Sequence, residues 1–516
     1  MIPVVTPAEM AAIDAAAPEG TDVLIERAGA AVALAAVEML TGGVEPGAAA
    51  SRDAASILAA GGGRIRRRRA ARLLAGRTVA VLAGPGNNGA DGRAAARYLR
   101  RAGATCHVLA PDWDAVPDWD AVPDCDLLID AAYGTGLNRP WTPPAGASDA
   151  ARQTLAVDIP SGVDGLTGAV RGEALAADRT VTFAALKPGL LLPPGRELAG
   201  RVTVADIGLD ASSPRAHLMT DTDVDEGWPR RPADAHKWQS ACWVVAGSPI
   251  MPGAASLAAE AAFRCGAGYV RVSVPGTRPG DPMPTEAVFH PLPRAGWHDF
   301  MDPPRFGSLV IGPGLGLRGH TLASVRATVT AAKAPLVIDA DGLNALRDKA
   351  AEYLRGIGVP VVLTPHDREY RRLAGRPVGR DRLAAARALA AGPGACVLLK
   401  GPTTVVAAPD GEARLVTSGD ARLATAGTGD VLAGMIGALL AQRVAPLEAA
   451  ALAAHVHGLA GCLGPPVGLV AGDLPALIPS VLAALLTPDP NRQPPSDTGP
   501  WPAERPAGEA PKSPQG

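Results

Sequence analysis

Short apolar runs that stop at a turn of small residues and reopen as a helical pattern recur along this chain, and this alternation restricts the fold more than any other feature. TVAVLAGPGNNG, LLIDAAYGTG, LAVDIPSGVDG, SLVIGPGLG and PLVIDADGLN share it, each a strand-length run that ends in glycines or an acid. Strands alternating with helices predict parallel sheets, because a parallel partner needs a crossover and the crossover helices cover both sheet faces. In such folds ligands bind outside the carboxyl ends of the strands, so the turns are where chemistry is expected.

The most informative turn lies in residues 423–442, LATAGTGDVLAGMIGALLAQ. The backbone N–H groups of Gly427, Thr428 and Gly429 can converge on an anion at the positive end of the helix that follows. Val431, Leu432, Met435, Ile436, Leu439 and Leu440 form an apolar stripe that would anchor this helix in a core. Asp430, in the first helical turn, then faces whatever the amides hold. A carboxylate beside an anion hole suggests a base that deprotonates a hydroxyl while the amides stabilise a transferring phosphoryl group. The alternative is a glycine turn needed only for tight packing, with Asp430 as an ordinary cap.

A length of 516 residues allows two to four domains, and a formal charge of −2 gives no general attraction to nucleic acid or membrane. Six cysteines are scattered without a CxxC pair, which argues against zinc and disulfides and for reduced core thiols in a cytoplasmic protein. The first residues have no basic region followed by an apolar run, so neither export nor membrane insertion is expected.

Thr6, Pro7 and Glu9 mark a helix start as a capping box, and residues 24–40 read as a second helix. Between 41 and 72 the composition turns to glycine and alanine and then to the basic run at 64–69, read as a solvated insertion loop. Gly84, Gly86 and Gly89 after a strand fit the pattern of a dinucleotide-binding turn. Asn87, Asn88 and Asp91 weaken that reading, because three polar side chains inside the turn suggest direct binding of an ion or of hydroxyl and amide groups. The tandem repeat at 111–126 reads as a duplicated surface loop. Asp130 and Asp158 would both project from strand ends, as ligand contacts or as plain helix caps.

GPGNNGADG, DAAYGTGL and DIPSGVDG, in this order, resemble the NAD(P)H-hydrate epimerase domain, over roughly residues 1–210. The resemblance implies a potassium ion on Asn88, Asp130 and Ser161. It further implies that Asn87, Asn88, Gly89, Ala90 and Asp91 contact a hydrated nicotinamide nucleotide. So would Gly134, Thr135, Gly136, Leu137, Asn138, Arg139 and Pro140, with Asp158 as the catalytic acid–base group. Ala90 and Arg93 depart from the usual residues of that family.

The stretch 211–235 has no periodicity and reads as an interdomain linker, after which strands and helices alternate again. Asp339, Asp341 and Asn344 fall just past one strand, His366 and Glu369 past another, and Lys400 ends a third beside the turn at Gly427. A hairpin turn is expected at Asp410 and Gly411. No P-loop occurs. The combination GPGLG, DADGLN, TPHxxE, LKGxxT and AGTGD resembles the ribokinase-like ADP-dependent NAD(P)H-hydrate dehydratase. By that resemblance Ala254, Gly316, His366 and Asp430 contact the hydrate, Asp430 being catalytic. Lys400, Gly401, Pro402, Thr403, Thr404 and Gly429 would bind ADP, with Mg2+ on its phosphates.

The expectation is thus an α/β chain of two three-layer sandwiches: a Rossmann-like epimerase domain at 1–215 and, after a linker at 216–233, a ribokinase-like dehydratase domain at 234–487. A proline-rich disordered tail covers 488–516. The function expected is repair of hydrated NADH and NADPH, with these hydrates and ADP as ligands, no nucleic acid or membrane partner, and a homo-oligomeric state. The alternative is a vitamin-precursor kinase fused to a non-catalytic dimerisation or RNA-binding module.

Overall fold

The structure, a computed structural model, describes residues 1–42, 73–110, 122–277, 283–301 and 305–486. The basic run at 64–69, residues 111–121 of the repeat and the tail from 488 lie outside the described residues. Among the described residues no helix is long and apolar enough to cross a membrane.

Among the described residues, two sheets carry the chain. The first is six-stranded and parallel, built from β2 (Thr78–Ala83), β3 (Thr105–Leu109), β4 (Leu127–Ala131), β5 (Thr154–Val157), β6 (Arg179–Phe183) and β7 (Arg201–Ala205) in the order β3-β2-β4-β5-β6-β7. Side chains alternate between its faces: Val79, Val81 and Ala83 enter one core cluster, Ala80 and Leu82 another. The strand order reverses direction beside β2, which opens a crevice between the turns after β2 and β4. At the chain's start the expected capping box is present, with Thr6 accepting from Glu9 N and Glu9 accepting from Thr6 N.

The second sheet has eleven strands. Its parallel centre is β9 (Ala241–Val245), β10 (Tyr269–Ser273), β11 (Val288–Phe289), β12 (Ser308–Ile311), β13 (Leu336–Ile338), β14 (Val361–Leu363) and β15 (Cys396–Leu399). The expected hairpin follows as β16 (Thr404–Ala407) and β17 (Ala413–Val416), antiparallel to one another. Cys242 and Val244 face one core and Trp243 and Val245 the other, so helices cover both faces. The order reverses at β9, between β10 and β12, and places a second crevice at the turns after β9 and β12. Four of the cysteines are buried as expected, whereas Cys462 is exposed and Cys106 half-buried. An exposed thiol on the end of a helix does not fit the core reading.

The stretch read as a linker is ordered. β8 (Ala216–Leu218) pairs in parallel with β17, and the helix Asp221–Gly227 follows it. Three residues are too short for a legible period, but Thr220 and Asp223 form a capping box, a signal that T-x-x-D carries in plain sight. On the other side of β8 lies β1 (Ile2–Val4), antiparallel to it, so a strand from the opening residues closes the edge of the second sheet. Val4, Leu190, Leu191 and Ala199 share one apolar cluster with Val405, Ala407 and Leu415.

This arrangement makes a fragment beginning at residue 234 less stable than one beginning near 213. The shorter piece lacks β8 and leaves the backbone edge of β17 unpaired. Comparing their melting temperatures checks this; equal values would mean that β8 contributes nothing to the second sheet.

Candidate active sites

Buried charged groups are rare unless something pairs with them, and here Asp91, Asp130, Lys187, Asp339 and Glu369 lie at the two crevices, while Asp223 and Arg414 are buried elsewhere. In the first, Asp158 follows β5 in the left-handed region at φ 66, a conformation costing of order 1–3 kcal/mol for a non-glycine residue. Its Oδ1 lies 2.8 Å from Lys187 Nζ and accepts from Thr182 Oγ1, and its Oδ2 accepts from Thr135 N at 3.2 Å. Burial raises the Asp158 pKa, but the Lys187 ammonium and these hydrogen bonds outweigh it and hold the carboxyl below its usual range.

Asp91, in the helix Asn87–Arg101, behaves in the opposite way. Burial, aided by the charges of Asp158 and Asp14, pushes its pKa up to about 8. One crevice therefore holds an ionised carboxylate and a protonated one near neutral pH. Gly134 lies between the walls: a Cβ there would fall 2.8 Å from Asp158 Oδ2 and 3.4 Å from Asn88 Oδ1. No larger residue leaves both side chains in place.

Asn88 lies in the first turn of the helix after β2, Asp130 in β4, and Ser161 in the turn after β5. Asp130 is fully buried and accepts from Ser161 Oγ at 2.6 Å, Ser161 N at 2.8 Å and Ala132 N at 3.4 Å. The buried Oδ1 and Nδ2 of Asn88 have no hydrogen-bond partner among the described residues. An orphaned amide oxygen and a buried carboxylate with no counter-cation among the described residues fit a monovalent cation with oxygen ligands.

The remaining expected contacts divide. Gly89 and Ala90 line the helix start beside the crevice, Asn87 is exposed, and Arg93, the departure from the family pattern, donates to Gly84 O at 3.0 Å and closes the turn. Leu137 is buried in the satellite core around Trp141, so its side chain faces away from the crevice. Gly136, Asn138, Arg139 and Pro140 are exposed, Arg139 donating to Tyr133 OH at 2.9 Å.

The second crevice is built from six turns. Gly427 takes φ 94 before the helix Thr428–Ala441, a left-handed residue that turns the backbone into the first helical turn, where Thr428 N donates to Thr425 O at 3.4 Å. Val431, Met435, Ile436 and Leu439 are fully buried, each stabilising by about 1.5–3 kcal/mol. Ala433, Ala438 and Gly434 are buried as well, so the helix is enclosed rather than buried along one stripe. The turn is also held from below: His457 Nε2 lies 3.0 Å from Thr428 O. Burial pushes His457 down to about 4, so its ring is neutral near pH 7 and donates to that carbonyl.

Lys400 ends β15. A Cβ on Gly429 would lie 3.5 Å from Lys400 Nζ, which sets the lysine against the turn. Lys400 Nζ pairs with Asp339 Oδ1 at 2.8 Å and stands 4.0 Å from Glu369 Oε2. Burial lowers the Lys400 pKa, but the carboxylates of Asp339, Glu369 and Asp430 raise it further, keeping the ammonium charged. Burial, with the charge of Asp339, pushes Asp430 up to about 7 despite Lys400.

Ala254 opens the helix Gly253–Arg264 and meets the turn after β12, since a Cβ on Gly314 would lie 2.8 Å from its Cβ. Gly316 N donates to Asp341 Oδ2 at 2.8 Å, joining the turns after β12 and β13. His366 caps the helix Asp367–Ala374 through Nδ1, which accepts from Arg368 N at 3.0 Å, and leaves Nε2 3.4 Å from Glu369 Oε1. Gly401 and Pro402 are exposed beside Lys400, and Thr404 opens β16. Thr403 differs: its buried hydroxyl donates to Leu191 O of the first half, so its backbone alone faces the crevice. Among the described residues no three His, Cys, Asp or Glu side chains converge as a metal site. That donor set does not fit a cage made by protein alone, and it fits Mg2+ carried mainly by phosphate oxygens.

Sequence reading missed Lys187, His457 and Asp14. Lys187 sits inside FAALKPG, where a lysine at the end of an apolar run reads as a solvated strand terminus.

The family described as YjeF-related protein N-terminus matches residues 21–121 and 114–189, and the one described as NAD(P)H-hydrate dehydratase matches 242–476. The bifunctional NAD(P)H-hydrate repair enzyme of Salinibacter ruber is 38% identical over 479 residues, covering 78% of this chain and 87% of that protein. The enzyme of the same description in Mycobacterium tuberculosis is 40% identical over 362 residues, covering 66% and 73%. A solved structure of ADP/ATP-dependent NAD(P)H-hydrate dehydratase from Bacillus subtilis, co-crystallised with ATP and Mg2+, covers 52% of this chain and 98% of that one at 31% identity and a TM-score of 0.46.

Proposed function

The chain belongs to the bifunctional NAD(P)H-hydrate repair enzymes, and on that premise we propose how its two crevices divide the work. Water adds across a ring double bond of NADH or NADPH and gives R and S hydrates that no longer serve as cofactors. The first half interconverts the epimers, and the second dehydrates the S form at the expense of ADP, releasing AMP and phosphate. The observation that carries the assignment is Asp430, with its carboxyl near neutrality at the mouth of the anion turn and Lys400 alongside.

In the second half, Asp430 takes the proton of the hydrate's hydroxyl as that oxygen attacks the β-phosphorus of ADP. The amides of Gly427, Thr428 and Gly429 hold the developing negative charge, with Lys400 as a fixed counter-charge. AMP leaves, and hydroxyl has become phosphate, a far better leaving group. The ring nitrogen's lone pair then expels phosphate, and loss of the neighbouring ring proton restores the double bond. Ala254, Gly316 and His366 line the place of the hydrate, and Gly401, Pro402 and Thr404 that of the nucleotide. Mg2+ on the phosphates would supply charge neutralisation.

In the first half, protonated Asp91 gives its proton to the departing hydroxyl and leaves a planar cation on the ring. Ionised Asp158, fixed by Lys187, stabilises that cation and activates water returning on the other face. Unequal carboxyls in one crevice suit this division of acid and base. Asn88, Asp130 and Ser161 would hold potassium, whose charge offsets the buried carboxylate and orders the crevice.

The test is one assay: incubate the protein with mixed hydrates and ADP and follow the return of reduced-nicotinamide absorbance. Complete conversion of both epimers is expected, and conversion that needs no ADP would reject the phosphoryl-transfer reading. The pH dependence should split by half. A base must be ionised, so kcat/KM for S-hydrate dehydration rises as pH passes about 7; an acid must be protonated, so epimerisation falls as pH passes about 8.

A further inference from the structure

The segment following Lys187 touches both active sites. Lys187 at its start pairs with Asp158. A few residues on, Leu191 O accepts from Thr403 Oγ1, and Arg196 reaches across the boundary between the halves. Its NH1 donates to Pro402 O at 3.2 Å and its NH2 to Thr417 O at 2.7 Å. Pro402 belongs to the turn that joins β15 to β16, and Thr417 directly follows β17 opposite that turn, so one guanidinium ties the turn to the neighbouring strand end. On its own side the turn is held by Arg382, whose NH2 donates to Lys400 O at 2.8 Å. The first half therefore adds its own clamps on residues 400–404 to those the second half supplies.

We propose that Arg196 is a positioning residue for the nucleotide site: the epimerase half sets the backbone of the ADP-binding turn in the dehydratase half. This rests on reading residues 400–404 as the ADP turn. Thr403 carries it as much as Arg196 does. Thr403 is 1% exposed and its hydroxyl is committed to Leu191 O, and without the first half that hydroxyl would be buried unpaired or the turn would rearrange to solvate it. A turn that moves carries with it the amides of 401–404 that meet the nucleotide, whereas Lys400 is held within the second half by Arg382 and Pro365 O, and Asp430 and the anion turn hang on a separate helix. The coupling should thus appear in ADP affinity and leave the chemical step alone. It is also reciprocal: whatever ADP gains from the clamp, the clamp gains from ADP.

The experiment uses the full chain. ADP is titrated into wild type, Arg196→Ala and Arg196→Lys by calorimetry, with dehydration measured at saturating ADP and epimerisation measured separately. Arg196→Ala should weaken ADP binding about tenfold, equivalent to about 1.4 kcal/mol. Turnover at saturating ADP and epimerisation should stay within twofold of wild type. Arg196→Lys, which puts one ammonium where two separate donors stood, should fall between. In wild type, ADP should slow hydrogen exchange of the amides at 188–199. Unchanged affinity in Arg196→Ala, with or without a lower melting temperature, overturns the proposal and leaves a plain interdomain contact. Should Arg196→Ala fail to fold, Arg196→Lys and the exchange measurement decide alone, and no protection at 188–199 is the overturning result. If wild type itself does not bind ADP, the assignment of the turn fails and the coupling with it.

Discussion

Asp430→Asn is expected to lower S-hydrate dehydration by about a hundredfold or more, the scale of losing a general base, while ADP still binds. Asparagine keeps the size of the side chain and its place in the first helical turn but cannot take a proton. The nucleotide is held by Lys400 and backbone amides, which the substitution leaves in place. Stability gives a second and opposite signature. A carboxyl raised from 3.8 to about 7 by burial takes up protons on folding between those values. It therefore destabilises the native state increasingly as pH rises through that window, and the cost is complete above about 7. Asparagine removes the cost, so the variant should melt at the same temperature or higher at pH 8 and show less change between pH 5 and pH 8. Were Asp430 only a cap, its loss would lower the melting temperature and leave most of the turnover. A folded, ADP-binding variant with near-normal rate would sink the mechanism.

Asp158→Asn should abolish epimerisation and leave dehydration of purified S hydrate intact, because the two carboxyls serve different crevices. The single variant carries a complication that the structure identifies. Lys187 is 1% exposed and paired with Asp158, and removing one partner of a buried pair costs about 3–5 kcal/mol because a charge is left without compensation. Loss of activity could then reflect local collapse. The double variant Asp158→Asn with Lys187→Met separates the two, since it removes the orphaned charge. It should recover much of the lost stability and none of the epimerisation. If the double variant epimerises at a near-normal rate, Asp158 acts through packing and the acid–base assignment is wrong.

What the sequence disclosed and what it withheld follow a physical line. Turns whose shape is dictated locally were legible: the strand ends at Asp130, Asp158 and Asp339, the anion turn at Gly427, and the hairpin at Gly411 with φ 94 all rest on glycine placement and short apolar runs. Pairings across the sheet were not. Nothing near Lys187 announces Asp158, which lies one strand earlier, and nothing near Asp91 announces that burial will keep it protonated. The segment at 216–227 failed differently. A three-residue strand has no period to detect, and the capping box behind it was present but unread among its prolines and acids. His457 was hidden by an alanine-rich helix in which a histidine looks incidental.

The edge of the second sheet also fixes an order of events in making the protein. β1 and β8 emerge from the ribosome early, while β17, the neighbour β8 needs, ends at Val416, some 198 residues after Leu218. At about 5–20 residues per second this is a wait of roughly 10–40 s. Throughout it the small β1–β8 ribbon presents a bare backbone edge that another nascent chain could pair with. Synthesis of the last third of the chain, rather than of the first domain, is the step that retires this hazard. Ribosome stalling between β8 and β17 should therefore cost more soluble protein than stalling after β17.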